Sequence, residues 1–160
     1  MVPTLEMTDA TKTPTGPIVG VPDGCQILII CDDSNADQLK NTFRQAGVAS
    51  ETTNSMTAGC EYARSGRFQA IVSKPSLGDG SWTRLLEIAK HSDLGFEVIL
   101  LASNFDLTEW AEALDVGAFD VLDTLGELPR AAEVAKGALW AACLKGAGPR
   151  LEEARPQRAA

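Results

Sequence analysis

The chain has 160 residues, 14 basic against 22 acidic for a formal charge of −8, and 44% of its residues are hydrophobic. That length suits one domain with a real core, the acidic balance argues against a nucleic-acid partner, and no apolar run approaches the roughly 20 residues of a membrane span. The N-terminus has no basic stretch followed by an apolar core, so the expectation is a cytoplasmic protein without a signal peptide.

Residues 1–24 are dominated by Thr, Pro and Gly without apolar periodicity and read as a flexible tail. Order is predicted from 25 to 145. Ile27-Leu28-Ile29-Ile30-Cys31 is an uninterrupted apolar run, the pattern of a central parallel strand covered on both faces. It ends on Asp32-Asp33, with Ser34 and Asn35 as helix-capping candidates. Leu39, Phe43 and Ala46 then recur at helical spacing, and Gly47 supplies the stop. The second strand, around Val48 to Thr52, is short and polar and belongs at or near a sheet edge. Met56, Cys60 and Ala63 mark a second helix, ended by Gly66.

Ala70-Ile71-Val72 is the third strand, followed by Ser73, Lys74 and a Pro75 to Gly80 loop of turn-forming residues. Ser81 is the predicted cap of a helix with Trp82 in its first turn and Leu85, Leu86 and Ala89 facing inward. Glu97 to Ala102 is strand four. Asp106 and Glu109 have the spacing of a capping box, and Trp110, Ala113 and Leu114 follow on one helical side, up to Gly117. Phe119 to Leu122 is strand five, and Pro129 opens a last helix running to about Lys145. Residues 146–160 read as a second flexible tail. Five strands alternating with five helices imply a flavodoxin-like, doubly wound (βα)5 three-layer sandwich with a parallel five-stranded sheet of order 2-1-3-4-5. That order brings the carboxyl ends of strands one and three, and so Asp32, Asp33 and Lys74, to the switch point where α/β sheets place ligands.

Few familiar chemistries fit this site. No GxGxxG, GxxxxGK[ST] or GxSxG occurs. Cys25, Cys31, Cys60 and Cys143 lack metal-ligand spacing and read as small core residues, and His91, near a helix C-terminus, has no catalytic partner in the pattern. An adjacent acidic pair can bind Mg2+, but a neighbouring ammonium competes for that place. Lys74 is such a cation.

ILIICDDSN, FQAIVSKPSLGDGSW, and VILLASNFD with GAFDVLD, in that order on those elements, resemble the receiver domain of two-component response regulators over about Gln26 to Lys145. The resemblance implies an acidic pair for Mg2+ after strand one, a phosphoryl-accepting aspartate ending strand three, a Thr or Ser ending strand four, an aromatic in strand five and a Lys-Pro after it. Here the acidic pair is kept as Asp32 and Asp33. The acceptor position, counted back from Leu77-Gly78-Asp79-Gly80, holds Lys74. The strand-four hydroxyl position holds Ala102, with Ser103 beside it; the aromatic position holds Val121; and the Lys-Pro positions hold Thr124-Leu125.

A lysine amine is no phosphoryl-accepting carboxylate, and it repels the metal that would neutralise developing charge. The expectation is therefore a degenerate receiver, not an enzyme, with no Mg2+ cofactor, in which Lys74 is the counter-ion of Asp32 and Asp33. The alternative is a phosphorylatable receiver using Asp33 or Asp79, although the Asp-Gly context of Asp79 is also that of an ordinary turn. The expected partner is a signalling protein, a histidine kinase or another regulator, with homodimer formation as a further option. The resemblance directs attention to Trp110, Val121 and Trp140 as interface candidates, although a Trp at helical spacing is more often core.

Overall fold

The computed structural model describes residues 21–22, 24–103 and 106–145. The segments 1–20 and 146–160, read above as tails, lie outside the described residues. The sheet strands are β1 (Gln26–Ile30), β2 (Ala49–Thr53), β3 (Ala70–Ser73), β4 (Glu97–Ala102) and β5 (Asp120–Asp123). The helices are α1 (Asn35–Gln45), α2 (Met56–Arg64), α3 (Thr83–His91), α4 (Leu107–Val116) and α5 (Ala131–Leu144), the last entered through a 3-10 turn at Leu128–Arg130 that contains Pro129. All sheet pairings are parallel, in the order β2-β1-β3-β4-β5, the predicted topology.

Strand side chains alternate between faces, which splits each apolar run into two cores. Ile27, Ile29, Val72, Ile99, Leu101 and Leu122 pack under α1 and α5. Leu28, Ile30, Ile71, Val98, Leu100 and Val121 pack under α2, α3 and α4. Both sets are buried, so the strands carry no polar alternation, whereas β2 at the edge stays half exposed, as its polarity foretold. Gly59 lets α2 approach β1: a Cβ there would lie 2.5 Å from Ile30 Cδ1.

Several local expectations need correction. Ser34 is itself in helical conformation and makes no side-chain cap; Asp33 Oδ1 takes the Asn35 N–H instead, at 2.9 Å. Ser81 is one residue too early, because Trp82 is the N-cap, although Ser81 Oγ still accepts from the Thr83 N–H at 3.3 Å. Leu85 and Ile88 form the buried stripe of α3, with Leu86 and Ala89 half-buried at its flank. The Pro75 to Gly80 segment contains a small antiparallel hairpin pairing Ser76 with Ser81 and Leu77 with Gly80. β5 begins at Asp120 rather than Phe119, whose N–H bonds the Val98 carbonyl at 2.7 Å while its ring lies beneath Gly137 of α5. The Asp106–Glu109 capping box is present in full.

Candidate functional site

The carboxyl ends of β1 and β3 are neighbours in the sheet, and their pairing runs one step beyond the strands through the Lys74 N–H to the Ile30 carbonyl at 3.1 Å. This register sets the side chain of Lys74 against the loop that follows β1. Its Nζ donates to Asp32 Oδ1 at 2.8 Å and to Asp33 Oδ2 at 3.2 Å. Side-chain exposures of 32% for Lys74, 47% for Asp32 and 44% for Asp33 place the cluster at a solvent boundary, where attraction is screened but not abolished. The bond to Asp32 above all, with that to Asp33, raises the Lys74 pKa above the ordinary lysine value against the opposing effect of burial.

Asp33 is held from several sides. Burial works against its charge, but the Cys31 thiol at 3.2 Å, the Asn35 N–H and Lys74 outweigh it and keep the carboxyl below the usual range. Cys31 is the reverse case: desolvation pushes its thiol up to about 11, so it remains a protonated donor to Asp33.

Lys74 and Asp33 line a cavity of about 280 Å3 with Asn35, Pro75, Ser76, Leu101, Ala102, Ser103 and Thr124. Ser103 and Thr124, named separately from sequence, meet here with their hydroxyl oxygens 2.7 Å apart, while the Thr124 N–H bonds the Ala102 carbonyl. Asp79 lies elsewhere. Its two carboxylate oxygens accept the N–H groups of Met56 and Thr57, each at 2.8 Å, and cap α2 across 22 and 23 residues of sequence. The Thr57 and Met56 bonds lower its pKa to about 2. His91 ends α3 and does not line the cavity; its Nδ1 is 2.9 Å from the Glu87 carbonyl oxygen.

A second, larger cavity of about 730 Å3 opens between α4 and β5. Ala102, Leu107, Trp110 and Val121 form its apolar wall, and Asp106, Asp120, Asp123, Glu127 and Arg130 its charged rim. Trp110 is 41% exposed and Leu107 80%, so the periodicity that grouped Trp110 with buried Ala113 does not make it core. Trp140 is also partly exposed, on α5, but does not line this cavity. Of the rim residues, sequence reasoning named Asp106 only as a helix cap and placed Asp120 within the fifth strand, without relating either to a groove. The signal available was the spacing of Asp120, Asp123 and Glu127 at intervals of three and four residues, beside an exposed Leu-Thr-Glu-Trp segment.

Asp32 and Asp33 share their place with the Lys74 ammonium. Mg2+ seeks octahedral oxygen ligands, the pair already receives an ammonium, and among the described residues no group of three His, Cys, Asp or Glu side chains could hold a metal ion. Also among them, no helix is long and apolar enough to cross a membrane.

No family model and no curated protein sequence matches the chain. Solved structures do. A response regulator receiver domain protein from Clostridium thermocellum matches with a TM-score of 0.63 at 23% identity, over 72% of this chain and 94% of that one. A CheY-like receiver domain protein from Methanospirillum hungatei gives 0.62 at 22%, over 72% and 93%. The beryllofluoride-activated NtrC4 receiver domain dimer gives 0.64 at 17%, over 72% and 96%. With the sheet order and the crevice between β1 and β3, these likenesses establish that the chain has the fold of the response-regulator receiver domains.

Proposed function

We propose that this chain is a receiver-fold signalling module of a two-component type pathway that works by protein–protein contact and without aspartyl phosphorylation. The observation that carries the reading is Lys74 Nζ lying 2.8 Å from Asp32 and 3.2 Å from Asp33. In the receiver pattern that position belongs to the phosphoryl acceptor, so on this reading the cluster lacks the acceptor carboxylate and carries an internal cation in its place. Such an ion pair fixes an arrangement more than it adds net stability. Ala102, Val121 and Thr124 stand where the pattern has a hydroxyl, an aromatic and a lysine, which removes the parts that would hold or report a phosphoryl group.

Output then rests on a surface. The groove around Trp110 and Val121, with its acidic rim, is the docking face, and its partner is a histidine kinase or another regulator of the pathway; Trp140 marks a second exposed aromatic for partner contact. A homodimer is the other form of partnership, as in the dimeric NtrC4 receiver. The protein acts in the cytoplasm, is not an enzyme and does not use nucleic acid, in keeping with its charge of −8. Neither alternative acceptor is favoured: both oxygens of Asp79 serve the α2 N-terminus, and Asp33 is engaged by Cys31, Asn35 and Lys74.

Incubation with acetyl phosphate and Mg2+, read by intact mass, tests the proposal. No phosphoryl adduct is expected, and a stable adduct on the wild-type chain overturns it. In parallel, Lys74→Asp is expected to gain Mg2+-dependent thermal stabilisation that the wild type lacks. Absence of that gain would remove the counter-ion account.

A further inference from the structure

Cys25 and Cys143 are 118 residues apart in sequence, yet their Sγ atoms lie 3.8 Å apart inside the fold. Cys25 immediately precedes β1 and Cys143 is the penultimate residue of α5; both are buried in the core between β1, α1 and α5. The end of α5 is held in place by the Lys145–Glu97 ion pair at 2.8 Å, which ties the helix to the first residue of β4. The two sulfurs therefore face one another at the amino edge of the sheet, at the opposite end from Lys74. A disulfide needs them about 2.05 Å apart, so they must close by roughly 1.8 Å, within reach of side-chain rotation and a small helix shift.

We infer that Cys25 and Cys143 form a thiol–disulfide modification site, which closes to an intramolecular bond by exchange with a small disulfide such as oxidised glutathione. This inference is independent of the proposed signalling role. Cys25 follows the turn at Gly24 and Cys143 is in the last turn of α5; both are buried, so exchange requires a local opening of that turn. The first thiol exposed loses its proton, and its thiolate attacks the small disulfide, giving a mixed disulfide and one released thiolate. The second protein thiolate then attacks the mixed bond and releases the other. Two protein thiols are oxidised, one glutathione disulfide is reduced to two glutathione molecules, and the two protons pass to the released thiolates.

The other cysteines are poor competitors. Cys31 is a hydrogen-bonded, protonated thiol beside Asp33, and Cys60 belongs to α2 and is buried against the opposite face of the sheet. The bond would close a loop around almost the whole domain and fasten the last turn of α5 to the start of β1. A loop of that length, formed without strain, raises the melting temperature by roughly 15–20 °C.

The test uses the full chain, folded, with oxidised glutathione, followed by maleimide quenching, intact mass and peptide mapping. The expected product is a monomer lighter by two hydrogens that takes up two maleimides rather than four, with the Cys25 and Cys143 peptides joined, a raised melting temperature, and reversal by dithiothreitol. Cys143→Ser is expected to lose the bond and the thermal gain; Cys25→Ser supplies the same comparison if the first variant fails to fold. Glutathione adducts without a protein disulfide, a bond through Cys31 or Cys60, a bond formed only in urea, or an oxidised form no more stable than the reduced one would each overturn the inference.

Discussion

Replacing Lys74 with Met keeps the length of the side chain and removes the ammonium that bridges Asp32 and Asp33. In an effective dielectric near 20, unit charges at 4 Å attract by about 4 kcal/mol, but side chains a third to a half exposed retain only a fraction of that. Exposed pairs measure roughly 0.2–1 kcal/mol each. Two such contacts, together with the repulsion of two adjacent carboxylates left without a cation, give an expected loss of about 1–2 kcal/mol. Desolvation could in principle cancel this gain. It offsets part of the gain, while the raised lysine pKa shows that the contacts favour the charged form of Lys74. Thermal melts at about 0.02 M and about 0.5 M salt should show a fall of roughly 3–8 °C at low salt that shrinks at high salt. Because the folded pKa of Lys74 lies above the ordinary value of 10.5, its contribution is fully present below that pH and is lost as pH rises through the folded value. A variant as stable as the wild type in low salt, or a loss indifferent to salt, would refute the reasoning.

Two further perturbations probe the frame that holds the site. Asp79→Asn should weaken the cap on α2 at neutral pH. Since the folded pKa of Asp79 is depressed to about 2 from 3.8, its contribution is present above 3.8 and is lost as pH falls toward 2. Urea midpoints of wild type and variant should thus converge in acid, and an unchanged gap down to about pH 2.5 would be contrary evidence. Gly59→Ala puts a methyl 2.5 Å from Ile30 Cδ1 and 2.8 Å from Ile30 Cγ1 in a fully buried contact. Overpacking of about 1–3 kcal/mol should exceed the roughly 1 kcal/mol gained in helix propensity, so a lower urea midpoint is expected, and a higher one would mean that α2 is free to move outward.

The sheet was legible because burial on both faces writes itself as unbroken apolar runs. Ile27 to Ile30 and Val98 to Leu101 need no long-range information to be read as central strands, and short connections then restrict the order. What escaped the sequence was whatever depends on a partner far along the chain. Asp79 looks like a turn residue from its neighbours, and only the fold shows its carboxylate on the N-terminus of α2. Asp33 and Ser34 are equally good capping residues by composition, and it is Asp33 that takes the Asn35 N–H, because Ser34 already has helical backbone angles. Trp110, an interface candidate for which core was the commoner alternative, likewise depends on the fold. Helical periodicity says which residues share a side, and only the position of β5 at the sheet edge decides that this side of α4 is partly uncovered.

The substitutions set against the receiver pattern are dispersed in sequence, but the fold arranges them in two adjoining spaces with one residue in common. Lys74, Ser103 and Thr124 line the smaller cavity, Val121 and Trp110 the larger, and Ala102 lines both. A bulkier side chain at Ala102 or an aromatic at Val121 would project into the larger cavity, so the small residues at these positions leave open the groove that Trp110 borders. The same small residues offer no hydroxyl or ring to relay a change at the Lys74 cluster, where the charges are already paired. Under the proposed function the two spaces act independently of each other, and the groove takes its partner whatever occurs at the acidic pair. Lys74→Met should accordingly lower stability without altering partner binding at the groove, whereas Val121→Tyr should block binding while leaving the stability contribution of Lys74 intact.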